Sequence, residues 1–209
     1  MKPFNIVLLM MLVLLAACAS APAQRDQVRQ DYPQQADPDR DEVMVFFGYQ
    51  CGPCHQFYEQ ELTHWLTTAD DNVDTLLVPV VFSSSVEAAA RGFHAAELMG
   101  ANPDFHRSIF VAFQSNPERV ATAEQVIELA GHCCGLDQEE FRRLYESEAV
   151  DRRMRQAETL TRGHGISMTP SVMVNRELVL DPYDVQMGER LIDLVDNALQ
   201  GDFPSGRGI

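Results

Sequence analysis

Lysine is almost absent: Lys2 is the only one in the chain, so a form that has lost its first residues carries none. With 31 Asp and Glu against 16 Lys and Arg, the net charge is −15. That balance denies the protein the basic surface on which nucleic-acid binding depends. The acidity itself reads as a solvated or salt-adapted surface rather than a site for basic substrates. A long apolar run is missing as well. Residues 6–15 are apolar throughout, too short for a lasting membrane anchor, but behind Lys2 they have the form of a signal-peptide core within residues 1–17. No internal repeat occurs. Cysteine is scarce, at five, and the number is odd.

The leader can be cut in two ways. Leu15-Ala16-Ala17-Cys18 looks like a bacterial lipobox, in which Cys18 is lipidated on sulfur and becomes the new N-terminus. Lipidation would also remove the odd cysteine from the count and tether the protein in the periplasm. Ala19, in place of an acidic residue, implies the outer membrane if the enterobacterial sorting pattern applies. The rival is cleavage after Ala21-Pro22-Ala23, leaving a soluble periplasmic protein. The lipobox is the preferred reading, because the cysteine closes the apolar run. Residues 18–41, rich in Ala, Gln, Asp, Pro and Arg, read as a flexible tether, and 201–209 as a flexible tail.

What is present is Cys51-Gly-Pro-Cys54, directly after the apolar residues 43–48 and at the head of a helix-like segment from His55. In a strand, turn, helix context, a two-residue cysteine spacing means redox chemistry. A cysteine in the first turn of a helix sees unpaired backbone N–H groups and the positive end of the helix dipole, both favouring thiolate. Cys51 is therefore the candidate nucleophile. Cys54 shares a helix face with Phe57, Tyr58, Glu61, Leu62 and Trp65 and is the candidate resolving thiol. Two blander readings compete: half of a zinc site, whose other half would be His132-Cys133-Cys134, and a purely structural disulfide.

Along the chain, residues 76–81 read as a second strand that Pro79 pushes toward a sheet edge. Five helical patterns follow. The first carries Ala89, Ala90, Phe93 and Ala96, the second Phe105, Ile109, Phe110 and Phe113. Thr122-Ala-Glu-Gln125 has the form of a capping box for the third, Asp137 can cap a fourth, and a fifth covers 148–162. Residues 171–175 and 177–180 form a hairpin turning at Asn175-Arg176, and 183–199 a final helix. The chain thus divides into 42–84 and 164–200 as two parts of one α/β fold, with a helical insertion over 85–163.

This order, with Phe-Phe-Gly-Tyr-Gln-Cys51-Gly-Pro-Cys54-His-Gln-Phe at its start and Met168-Thr169-Pro170-Ser-Val-Met-Val-Asn175 before the hairpin, resembles the DsbA family of bacterial thiol:disulfide interchange proteins. The resemblance implies a thioredoxin fold with a helical insertion between the second and third core strands. It also implies that Pro170 is cis and faces the Cys51–Cys54 disulfide, with Thr169 offering main-chain bonds to a substrate and its hydroxyl to the Cys51 sulfur. Phe47 and Tyr49, with Thr169 and Pro170, would border an apolar peptide groove. The cysteine pair would be the redox carrier, with no metal or organic cofactor. Its partners would be unfolded or partly folded envelope proteins and a membrane redox partner, DsbB-like if the protein is an oxidase.

Two departures bear on direction. The familiar members have Pro-His between the cysteines, whereas Gly-Pro stands here, as in the reductant thioredoxin. Val45 occupies the position, six residues before Cys51, where many relatives bury an acid, which leaves water or Glu61 to move the Cys54 proton. His55 either tunes Cys51 or is a solvated first-turn residue. Architecture favours disulfide formation; a reductase or isomerase is the alternative, and a metal- or peptide-binding lipoprotein the rival from another class. Cys133 and Cys134 match nothing in the family motif. They are small helix-end side chains, a second redox pair or metal ligands; a disulfide between them would need the helix to break, as Gly131 and Gly135 allow.

Overall fold

The computed structural model describes residues 31–100, 103–185 and 189–202. The leader over 1–17, Cys18, the alternative cleavage pattern at 21–23 and the tail from 203 lie outside the described residues.

β1 (Asp41–Phe47) is central, and its residues Val43 to Phe46 are at most 1% exposed. It is covered on both faces, so it reads as an unbroken apolar run. Val43, Val45 and Phe47 enter the main core with Cys54, Trp65 and Phe93. Met44 and Phe46 point the other way, onto Leu76, Val78, Ile166 and Met173. β2 (Val73–Pro79) pairs parallel to β1 at the edge of a four-stranded sheet of order β2-β1-β3-β4. It starts three residues earlier than expected and stops at Pro79, which has no N–H to give. Val80 resumes the bonding, its N–H donating to Phe47 O at 2.7 Å.

Between these strands α1 (Gly52–Phe57) runs through a π-helical turn (Tyr58–Leu62) into α2 (Thr63–Thr68). The five helices of the insertion are α3 (Glu87–Leu98), α4 (Pro103–Ser115), α5 (Ala123–Cys134), α6 (Gln138–Tyr145) and α7 (Glu148–Gly163). The capping box at Thr122 and Gln125 is present, and Asp137 accepts from the Glu140 N–H. The chain then returns as β3 (Ser171–Val174), antiparallel to β1, and β4 (Leu178–Leu180).

Asn175 and Arg176, the central residues of the turn that the Glu177 N–H closes onto Val174 O, both have positive φ, 51° and 58°. Arginine is an unusual occupant, and its guanidinium explains it. Arg176 Nε donates to Glu42 Oε2 at 2.7 Å, where Glu42 is 3% exposed, and its Nη2 donates to Pro33 O at 2.8 Å. These bonds correct the expected tether. Its described part is docked: Tyr32 packs beside Met44 and its hydroxyl donates to Leu77 O at 2.7 Å. One aromatic ring and one charged fork suffice to hold a stretch otherwise poor in apolar groups.

The last helix also differs from expectation. α8 covers Leu191–Leu199 only. Asp181 and Asp184 take up local backbone N–H groups instead, of Tyr183 and Asp181 respectively, and such Asx bonds compete with helix formation. α8 buries Leu191, Ile192, Leu194, Val195 and Ala198, and Trp65 Nε1 donates to its Asp196 at 2.7 Å.

Candidate active site

β1 delivers the chain through a turn, Cys51 N–H to Gly48 O, to the head of α1. Cys51 is the N-cap residue: its backbone is extended and its Sγ accepts the Cys54 N–H at 3.1 Å. A sulfur so placed is the one stabilised as a thiolate. Cys54 is 2% exposed and Cys51 half-buried, and the two are joined as a disulfide. One sulfur is open to attack and the other shielded.

The Thr169–Pro170 bond is cis and its loop meets the disulfide. Thr169 presents its main-chain carbonyl, not the expected hydroxyl, 3.3 Å from Cys51 Sγ, a contact to which a reduced thiol could donate. Ser171 Oγ donates to Met168 O at 3.1 Å and fixes the loop beneath.

Phe47 and Tyr49 are not at a groove. At 3% and 1% exposed they form the joint between sheet and insertion, with Phe47 edge-on to Phe93 and His106, and Tyr49 edge-on to Phe110. The groove that the resemblance implies for them is closed by the insertion, which folds over both rings.

Not foreseen from the sequence is one line along α4. His106, Phe110 and Gln114 recur every fourth residue, a single helix face, and all three meet the active-site segment. The Tyr49 hydroxyl is hydrogen-bonded to His106 Nδ1 at 2.8 Å. Phe110 stacks on His55, with ring centroids 5.1 Å apart and 9° between planes. Gln114 Nε2 donates to Tyr49 O at 3.2 Å. The signal was available in the spacing, masked by the apolar stripe of Phe105, Ile109, Phe110 and Phe113, in which Phe110 counts as core. Burial, with the neighbouring His55 and Arg107, pushes His106 down to about 3, so it is a neutral imidazole. Burial likewise holds the Tyr49 phenol well above its usual range.

Gln114→Ala removes a side-chain bond from α4 to the main chain of the active-site turn. We expect a loss of about 1 kcal/mol of stability, read as a melting temperature about 2–4 °C lower, with thiol exchange slowed by no more than about fivefold; a thermal scan beside stopped-flow exchange checks both.

His55 does not point free into solvent; it is half-buried, stacked on Phe110. Glu61 is engaged elsewhere: its Oε2 accepts the Ile192 N–H at 3.2 Å and so caps α8. Glu61→Ala is therefore expected to cost about 1 kcal/mol in urea titrations and to leave exchange rates unchanged. Among the described residues no three His, Cys, Asp or Glu side chains converge as metal ligands. The second half-site imagined for zinc is itself paired, Cys133 to Cys134.

Residues 61–200 match the family described as DSBA-like thioredoxin domain, a span that begins just after the Cys51–Cys54 pair. The chain is 30% identical over 166 residues to the thiol:disulfide interchange protein DsbA of Azotobacter vinelandii, covering 79% of this chain and 76% of that protein. Identity is 26% over 166 residues to the protein of the same name from Pseudomonas aeruginosa PAO1, covering 79% and 77%. The crystal structure of Pseudomonas aeruginosa DsbA superposes with a TM-score of 0.74 at 24% identity, over 82% of this chain and 88% of that one. The oxidoreductase DsbA from Xylella fastidiosa superposes with a TM-score of 0.67 at 21% identity, over 79% and 87%.

Proposed function

Because this chain belongs to the DSBA-like thioredoxin domain family, we propose that it works through Cys51 and Cys54 as a disulfide donor to proteins of the cell envelope. It is a thiol:disulfide oxidoreductase. The carrying observation is the asymmetry of the pair: an N-capping, half-exposed Cys51 that accepts the Cys54 N–H, and a buried Cys54.

A substrate thiolate attacks Cys51 Sγ, the Cys51–Cys54 bond breaks, and its electron pair leaves on Cys54. The second substrate thiolate then attacks the substrate sulfur of the mixed disulfide and Cys51 departs as the thiolate that the helix start favours. The substrate loses two electrons and two protons, and the pair gains the electrons. In the opposite direction Cys54 resolves the mixed disulfide. A bound peptide would lie along the Thr169–Pro170 loop. Val81 and Phe82, 39% and 51% exposed just past the end of β2, offer apolar contacts at the same end of the sheet.

No cofactor beyond the cysteines is required by this scheme. A membrane oxidant of the DsbB type would recharge the pair. The protein would act in the periplasm, tethered through a lipid on Cys18; no helix among the described residues is long and apolar enough to cross a membrane.

The test is the equilibrium of Cys51 and Cys54 with glutathione in a Cys133→Ser/Cys134→Ser variant. An oxidising potential establishes the donor. A thioredoxin-like potential, toward which Gly52-Pro53 pulls, overturns it in favour of a reductase or isomerase supplied with electrons.

A further inference from the structure

The reaction above uses two of the four described cysteines. The other two, Cys133 and Cys134, are bonded to each other in the last turn of α5. From the sequence, that bond requires a break in the helix; instead the helix runs through both cysteines and ends immediately after them. Gly135 takes φ 63°, its N–H donates to Gly131 O at 3.1 Å, and the Leu136 N–H donates to Ala130 O at 3.3 Å. Backbone bonds and a left-handed glycine therefore close this helix end, and the sulfur bond is not needed to hold it.

We propose that Cys133 and Cys134 form a second dithiol–disulfide couple, which exchanges with small thiols such as glutathione independently of Cys51 and Cys54. The first support is access. Cys133 is exposed, while Cys134 is half-buried and packed on the main core. One sulfur is thus open to an incoming thiolate and the other is held as the leaving group, the same division of labour as at the active site.

The second support is separation. Cys51 heads α1, whereas α5 packs on α3, α4 and α6, and it is α4 whose Phe110 and Gln114 meet the active-site segment. With α4 between the pairs, each must find its own partner in solution. The third is electrostatic contrast. Cys51 sits where a helix starts and its sulfur accepts an N–H; Cys133 and Cys134 sit where a helix ends, among carbonyl oxygens, with Cys133 Sγ 4.0 Å from Ala130 O. A helix end of this sign disfavours thiolate. The second couple therefore reacts more slowly than the first at neutral pH.

The exchange balances as follows. A small thiolate attacks Cys133 Sγ, the Cys133–Cys134 bond breaks, and Cys134 takes the electron pair and then a proton. A second small thiolate attacks the small-molecule sulfur of the mixed disulfide, releasing Cys133, which is protonated in turn. Two small thiols become one small disulfide, and the protein gains two electrons beyond the two held at the active site.

The experiment is a titration of the full chain and of its Cys51→Ser/Cys54→Ser variant across glutathione to glutathione disulfide ratios, with acid quenching, alkylation and peptide mass mapping, and circular dichroism on the same samples. The expected result is that the peptide bearing Cys133 and Cys134 passes from no label to two labels, with one midpoint, while the fold stays native. That midpoint is the same in both proteins, and at neutral pH Cys133 is alkylated more slowly than Cys51. The proposal fails if the pair stays unlabelled until the fold is lost, if it is labelled at every ratio, or if its midpoint moves when Cys51 and Cys54 are removed. Should the variant not fold, the time course in the full chain after a jump in glutathione decides the matter: an independent Cys133–Cys134 pair is reduced at a rate proportional to glutathione from the first time point, whereas reduction relayed through the active site lags until Cys51 and Cys54 are reduced, and such a lag overturns the proposal.

Discussion

Cys54→Ser, offered a disulfide-bonded substrate, will accumulate as a covalent adduct on Cys51 and cease to turn over. Cys51 keeps everything that makes it reactive in this variant: its place as N-cap, the Cys54-position N–H donated to its sulfur, and its partial exposure. What is lost is the sulfur that displaces the bound substrate. Cys51→Ser gives the opposite phenotype, no adduct and no turnover, because the remaining sulfur is only 2% exposed. Both variants fall to the rate of uncatalysed exchange between small thiols and disulfides, the largest activity loss any single substitution here should produce. Non-reducing gels and peptide mapping of the adduct distinguish them. An adduct on Cys54 in Cys51→Ser, formed as readily as on Cys51 in Cys54→Ser, would reverse the assignment of roles.

The largest effect on stability should come from acid, through His106. This ring is 1% exposed and, at about 3, stays neutral in the fold far below the 6.5 at which it protonates when unfolded. Between those values the unfolded chain binds a proton that the folded chain refuses. The contribution of the neutral ring is thus complete above pH 6.5 and is lost as pH falls toward 3, at about 1.4 kcal/mol per pH unit. From pH 6.5 to 4.5 His106 alone removes about 2 kcal/mol. His94, fully buried and likewise shifted down by burial, adds to the same slope. His106→Gln costs stability at every pH but flattens the acid slope; urea midpoints of both proteins at pH 7 and pH 4.5 measure the difference. An equally steep loss in the variant would move the effect to other groups.

The parts of this protein legible in its sequence are those governed by short-range rules. The capping box at Thr122, the hairpin at Asn175-Arg176, the central strand and the cysteine pair at a helix start each follow from a few neighbouring residues. Where reading failed, the deciding partner was distant along the chain. Tyr32 and its segment looked like tether because the groups that hold them, Leu77 O and the Arg176 guanidinium, come from β2 and the hairpin. Phe47 and Tyr49 looked like groove residues because α4, which buries them, follows more than fifty positions later. Glu61 looked like a candidate proton carrier because the N-terminus of α8 that it caps is 131 residues away. In each case local pattern set the element correctly, and a tertiary contact set the role of the side chain.

Trp65 is the one tryptophan in the chain, 6% exposed and bonded to Asp196 on α8. Eleven residues of helix separate it from Cys54, about 16 Å of axial rise, too far for sulfur to quench the indole by contact. Its emission should accordingly follow the docking of the C-terminal helix and stay silent when the active-site disulfide is made or broken. The protein carries an intrinsic optical reporter of its folding that does not register its chemistry.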